Sequence, residues 1–232
     1  MKEILIICAM DEEIARYQEK FAFTDHEVSK NFHYFEGTYG NLHLRLAKSG
    51  IGKVQMALTV SYLISQKKPD LVINTGSAGA INPEIKRFDC VVATGAFYHD
   101  VDMTKFGFAL GQLQDHDLVY KSDTALTDQL SKINEKLYGS HAKKGVIATG
   151  DTFVGTDEIK NRIFTNFPDT LCAEMEGASL AQVCQEFQIP FGEIRSISDD
   201  TPDDSADQFD QAIDEVGIMA ANVAIEYFET IK

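Results

Sequence analysis

Two carboxylates stand where apolar runs of this chain give out. Glu176 follows Leu171 to Met175 and precedes a helical pattern. Asp199 follows Phe191 to Ser198 and precedes the acidic run Asp200-Thr-Pro-Asp-Asp204. A doubly wound α/β protein keeps its ligand crevice outside its strand ends. Paired acids at such a crevice suit acid/base work on a sugar or nucleoside. Helix capping is the competing reading, since Asp is a favoured N-cap and Glu is common in a first turn.

The elements that must position these acids alternate between short apolar runs and helical patterns. Buried strands are predicted at 3–9, 71–75, 91–94, 145–149, 171–175 and 192–198. The segments 32–39 and 42–48 alternate apolar and polar residues around Gly40-Asn41, which reads as a hairpin turn. Helices are predicted at 10–18, 53–66, 123–138, 157–166, 176–187 and about 208–231. In the second of these Val54, Leu58, Tyr62 and Ser65 recur at helical spacing. Gly139 is expected to end the third as a left-handed cap. In the last, Gly217 and Ala221 permit close approach. The sum is one domain, 1–232, with a mixed sheet flanked by helices. The irregular stretch 98–121 is long enough to suggest a role in function or assembly.

Composition narrows the class. Lys+Arg 21 against Asp+Glu 36 gives a net charge of −15, which repels phosphate backbones and argues against a nucleic-acid partner. No apolar run reaches the roughly 20 residues of a membrane span, and no secretory signal is visible. Cys8, Cys90, Cys172 and Cys184 are scattered without a CxxC pair, as expected of small buried hydrophobes in a reducing compartment. The expected location is cytoplasmic.

Common nucleotide motifs fail. Ser49-Gly-Ile-Gly-Lys-Val54 lacks the Ser/Thr of a phosphate loop, and neither Gly50-Ile-Gly52 nor Gly76-Ser-Ala-Gly79 completes a dinucleotide fingerprint. Ser77 lacks the glycine two residues earlier that a nucleophile elbow needs. His99-Asp-Val-Asp102 has no second histidine cluster to join, so a structural or interface role is expected and no metal.

Taken together, the remaining motifs resemble one family along nearly the whole chain. They are Ala9-Met-Asp-Glu-Glu13, Lys48-Ser-Gly-Ile-Gly-Lys53, Asn74-Thr-Gly-Ser-Ala-Gly79, Tyr98-His-Asp100, Thr149-Gly-Asp-Thr-Phe153, Glu174-Met-Glu-Gly-Ala178 and Arg195-Ser-Ile-Ser-Asp199. The chain is similar to the 5′-methylthioadenosine/S-adenosylhomocysteine nucleosidases of the nucleoside phosphorylase superfamily. That resemblance implies a three-layer α/β/α sandwich around a central mixed β-sheet. It also implies hydrolysis of the N-glycosidic bond of both nucleosides, and of 5′-deoxyadenosine, in methionine salvage and S-adenosylmethionine by-product recycling. No cofactor is expected.

The resemblance also assigns roles. Asp199 would be the acid at adenine N7, raised in pKa either by burial or by the acidity of 200–204. Glu13 would deprotonate the attacking water, and Glu176 would bind the ribose hydroxyls. Ser77 and Arg195 would fix the water and the acids, although Arg195 alone also reads as a structural partner of Glu176. Phe153 would stack on adenine, with the Val154 backbone reading its edge. Ala78, Gly79 and Met175 would complete the substrate site. Met10, Ile51 and Phe209 would surround the 5′ thioether, joined in a homodimer by Met103 and Phe106 of the partner's long loop. Gln114 and the acidic run with Pro202 depart from the family pattern and bear on 5′-substituent preference. Futalosine-type nucleosides stay open as secondary substrates.

Two rivals are kept. A phosphorylase would hold phosphate near the loop after the first strand, but here that loop is Met10-Asp-Glu-Glu13, whose carboxylates repel a dianion. The chain has only five arginines, too few in the right loops for a phosphate clamp. A non-catalytic nucleoside binder would need Phe153 and Glu176 but not Glu13 and Asp199 together.

Overall fold

The computed structural model describes residues 1–30, 32–200 and 204–232. Pro202, with its neighbours in the acidic run, lies outside the described residues. The strands are β1 (Lys2–Cys8), β2 (Thr24–Ser29), β3 (Phe32–Tyr39), β4 (Leu42–Lys48), β5 (Leu71–Ala80), β6 (Cys90–Tyr98), β7 (Tyr120–Lys121), β8 (Ala142–Thr149), β9 (Thr170–Glu174) and β10 (Phe191–Asp199). The helices are α1 (Asp11–Lys20), α2 (Lys53–Gln66), α3 (Thr124–Tyr138), α4 (Asp157–Asn166), α5 (Gly177–Glu186) and α6 (Ser205–Ile231).

The continuous apolar run of β1 reflects burial on both faces. Successive side chains of a strand point to opposite sides. Accordingly Ile4, Ile6 and Cys8 join the core under α1, α3 and α6, while Leu5 and Ile7 join the core under α2 and α5. The sheet runs β10-β6-β8-β9-β5-β1-β4-β3-β2, mixed in direction. Because β10 also pairs in parallel with β5, the strands β5, β9, β8, β6 and β10 close on themselves. This is the expected fold, a central mixed sheet with helices on both sides.

Several local expectations need correction. The polar strand β2, Thr-Asp-His-Glu-Val-Ser, has no apolar alternation to read, because it is an edge strand with four of its six residues in water and none buried. Val54 and Leu58 of α2 face outward, 76% and 57% exposed, whereas Met56, Thr59, Val60, Leu63 and Ile64 form its buried face. Gly139 has the positive φ of 55°, but its ψ of −117° lies outside the left-handed helical region, and a short 3-10 turn follows. The stretch 98–121 holds a 3-10 turn at Thr104–Phe106 and ends in β7.

Candidate active site

At the C-terminal ends of β1, β5, β9 and β10 lies a crevice of about 620 Å³ including its open mouth. Glu13 reaches it because α1 begins directly after β1. Its Oε2 accepts from the amides of Ala9 (2.8 Å) and Met10 (3.2 Å), completing one half of a capping box. Its Oε1 accepts from the Ser77 amide (2.9 Å) and Oγ (3.1 Å). Burial raises its pKa, and Arg195 and the surrounding amides pull the other way. Of the carboxylates in this loop only Glu13 lines the crevice, since Asp11 turns to Lys48 at 2.7 Å and Glu12 is exposed.

Glu176 occupies the N-cap position of α5, but its side chain makes no capping hydrogen bond. Its Oε1 instead accepts from the Gly52 amide at 2.7 Å, across from the glycine-rich loop. Gly50 and Gly52 have φ of +81° and +100°, a backbone that side-chain-bearing residues rarely adopt. Burial first, and the neighbouring Glu174 second, push Glu176 up to about 8. Asp199 ends β10, and α6 starts at Ser205, so it is no helix cap. Ser198 Oγ donates to its Oδ1 at 2.7 Å. Burial is the main cause of its raised pKa, with Asp200 contributing less and Lys160 opposing. Of the two causes left open by the sequence, burial is the larger.

Arg195 lies behind the crevice wall and does not line it. It pairs with Glu174 Oε2 at 2.7 Å, not with Glu176, and donates from Nη1 to Asn74 Oδ1 at 3.1 Å. Burial opposes its charge, but Glu174, Glu193, Glu176 and Glu13 together outweigh that and hold it cationic. A Cβ on Gly76 would lie 2.7 Å from Glu13 Oε1 and 2.8 Å from Arg195 Nη1, so the glycine supplies the space in which the two groups meet.

Met10, Ile51, Ala78, Gly79, Phe153, Val154, Met175 and Phe209 line the crevice with Ser77, Glu13, Glu176 and Asp199. Phe153 is not core: it is 45% exposed and meets Phe209 edge-on at 6.2 Å between ring centroids. Met103 and Phe106 do not line the crevice of their own chain, Phe106 being 77% exposed on the long loop. Gln114 is exposed on the same loop. The sequence reading missed Glu174, Thr152, Ser198, Ala9 and Ala173 as lining residues. Glu174 was signalled by the Glu174-Met-Glu176 spacing, two acids one residue apart at a strand end.

His99, Asp100 and Asp102 do not converge. Asp100 pairs with Lys53, Asp102 accepts from Thr104, and both ring nitrogens of His99 are buried without a partner among the described residues. Among the described residues no group of three or more His, Cys, Asp or Glu is placed to hold a metal ion. None of the five arginines lines the crevice.

An α/β sheet closed in this way, with buried carboxylates at its strand ends, defines the class: the sequence model of the phosphorylase superfamily matches residues 3–229. The 5′-methylthioadenosine/S-adenosylhomocysteine nucleosidase of Anoxybacillus flavithermus is 37% identical over 220 residues, 95% of each chain. The S-adenosylhomocysteine nucleosidase of Streptococcus pyogenes, solved with 5-methylthiotubericidin, superimposes with a TM-score of 0.94 at 36% identity, over 100% of this chain and 98% of that one. The 5′-methylthioadenosine/S-adenosylhomocysteine nucleosidase of S. pneumoniae, solved with a transition-state inhibitor, gives 0.93 at 35%, over 99% and 100%. This chain belongs to the 5′-methylthioadenosine/S-adenosylhomocysteine nucleosidase family.

Proposed function

We propose that the protein hydrolyses the N-glycosidic bond of 5′-methylthioadenosine and S-adenosylhomocysteine, and of 5′-deoxyadenosine, releasing adenine and the 5′-substituted ribose. It thereby serves methionine salvage and the recycling of S-adenosylmethionine by-products. The observation that carries this reading is Glu13, a buried carboxyl held by three amides and a hydroxyl in the wall of a crevice without an arginine. Such a group suits water and repels phosphate.

Water attacks C1′ and gives a proton to Glu13. The C1′–N9 bond breaks, its electron pair passes to adenine, and Asp199 delivers a proton to N7. A positioned acid of this kind is worth roughly 10²- to 10⁴-fold in rate. Burial moves the Asp199 pKa in the direction that role needs. Glu176 binds the 2′- and 3′-hydroxyls, and in its ionised form it stabilises the positive charge growing on the sugar. Ser77 orients Glu13; Arg195 acts through Glu174. Phe153 stacks on adenine and the Val154 backbone reads its edge. Ala78, Gly79 and Met175 wall the nucleoside, and Met10, Ile51 and Phe209 hold the thioether.

The working unit is a single domain in a homodimer, with Met103 and Phe106 entering the partner's crevice. Exposed Ile51, Val54 and Leu58, at three- and four-residue spacing beside that crevice, support a protein partner there. Four free and buried cysteines support a reducing, cytoplasmic setting. No helix of the described residues is long and apolar enough to cross a membrane.

Adenine release from 5′-methylthioadenosine, measured with and without phosphate, tests the reading. Release without phosphate is expected; release only with phosphate would make the protein a phosphorylase. No release in either buffer would leave a binding module.

A further inference from the structure

Glu193 is a buried carboxyl that the proposed chemistry does not use. It is 0% exposed on β10, opposite Asn74 of β5, and two residues before Arg195 on the same strand face. Its Oε1 accepts from Asn74 Nδ2 at 3.2 Å, while Asn74 Oδ1 accepts from Arg195 Nη1 at 3.1 Å. Arg195 Nη2 then donates to Glu174 Oε2 at 2.7 Å, the oxygen that also receives the amides of Glu176 and Gly177. An asparagine amide has one donor end and one acceptor end, so Glu193 decides which end faces the guanidinium. The other oxygen of Glu193 has no partner among the described residues. Residue 177 is a glycine where a Cβ would lie 2.7 Å from Glu193 Oε1, so the turn bearing Glu176 is built directly against this carboxyl.

We propose that Glu193 is a positioning residue for the hydrolysis: it turns Asn74 toward Arg195, leaves the guanidinium to Glu174, and so holds the turn that presents Glu176 to the sugar. The inference rests on the function proposed above. The titratable groups facing Glu193 are Arg195 on β10, Glu174 and Cys172 on β9, and Cys184 on α5. Burial keeps both thiols neutral. Burial also pushes Glu193 up to about 7, ahead of the lowering influence of Arg195. Once ionised, Glu193 competes with Glu174 for a single guanidinium in a cluster that already holds Glu13 and Glu176.

The test is kcat/KM for 5′-methylthioadenosine across pH for the wild type, Glu193→Gln and Glu193→Leu, with the Tm of each. Glu193→Gln keeps the acceptor for Asn74 and cannot ionise, so below neutrality it should match the wild type within a few-fold. Above about pH 7 its ratio to the wild type should climb, by up to roughly tenfold per pH unit. Glu193→Leu frees Asn74 and should lose about 10- to 100-fold below neutrality, the scale of a small misplacement at the reacting centre. A flat Gln-to-wild-type ratio, or a Leu variant that loses only Tm, overturns the proposal. An inactive wild type overturns the functional reading and this proposal with it; an active wild type with silent variants overturns this proposal alone.

Discussion

Asp199 and Glu176 show how one chemical group, the carboxyl, is set to different tasks by its surroundings. Burial raises the pKa of both; at Asp199 a lysine and a donating hydroxyl pull back toward the carboxylate, whereas at Glu176 the neighbouring Glu174 adds to the rise. A neutral Asp199 in the free enzyme is what a general acid requires. Asp199→Asn keeps the shape and removes the transferable proton. We expect turnover to fall by about 10²- to 10⁴-fold while a non-cleavable analogue still binds, measured by initial rates and calorimetry. Retained turnover would remove Asp199 from the acid's role, and a protein that never turned over would be a binder. The types and spacings of these residues were legible in the sequence; the partner of Arg195 was not. Glu174 and Glu176 are separated by one residue, and which of them meets the guanidinium depends on a turn that only the packed structure defines.

At the scale of elements, the position of Glu13 depends on α6. Gly217 sits in the middle of that helix, where a Cβ would lie 2.9 Å from the Glu12 carbonyl and 3.3 Å from the Glu13 Cα. The close approach expected from Gly217 is thus directed at the start of α1, the segment that carries the water-activating carboxyl. Gly217→Val should destabilise the fold by about 1–3 kcal/mol, the usual cost of overpacking, and should lower kcat beyond the loss of folded protein. Denaturant unfolding and kcat on the folded fraction measure the two effects. Unchanged kcat per folded molecule would separate α6 packing from Glu13 geometry. Strong elements such as β1, α3 and β10 were readable because burial on one or both faces imposes a period on the residues. The edge strand β2 was not, since water satisfies it whatever its pattern.

At the scale of the molecule, the apolar residues left outside are as informative as those within. Val54 and Leu58 lie four apart on α2, on one face, and remain in water in the single chain. Together with Ile51, which borders the crevice, they make the dimer face that we propose. Leu58→Lys should shift the protein from dimer to monomer in sedimentation. Activity should fall with it, because the partner's Met103 and Phe106 would leave the site. A variant that stays dimeric at full activity would move the interface elsewhere.

The sequence by itself determined the sheet-and-helix layering, the order of the buried strands and the main helices, and the acids at the strand ends. Those properties follow from local periodicity and from which side chains can stand in water. It also pointed to the family, through motifs spread along the whole chain. Tertiary structure alone decided which face of α2 is buried and that Asp11 turns away while Glu13 turns in. It alone joined Glu193, Asn74, Arg195 and Glu174 into one hydrogen-bonded chain. Those outcomes depend on residues far apart in sequence sharing one small volume, where a missing Cβ at Gly76 or Gly177 sets what fits. No local pattern encodes that competition for space and charge.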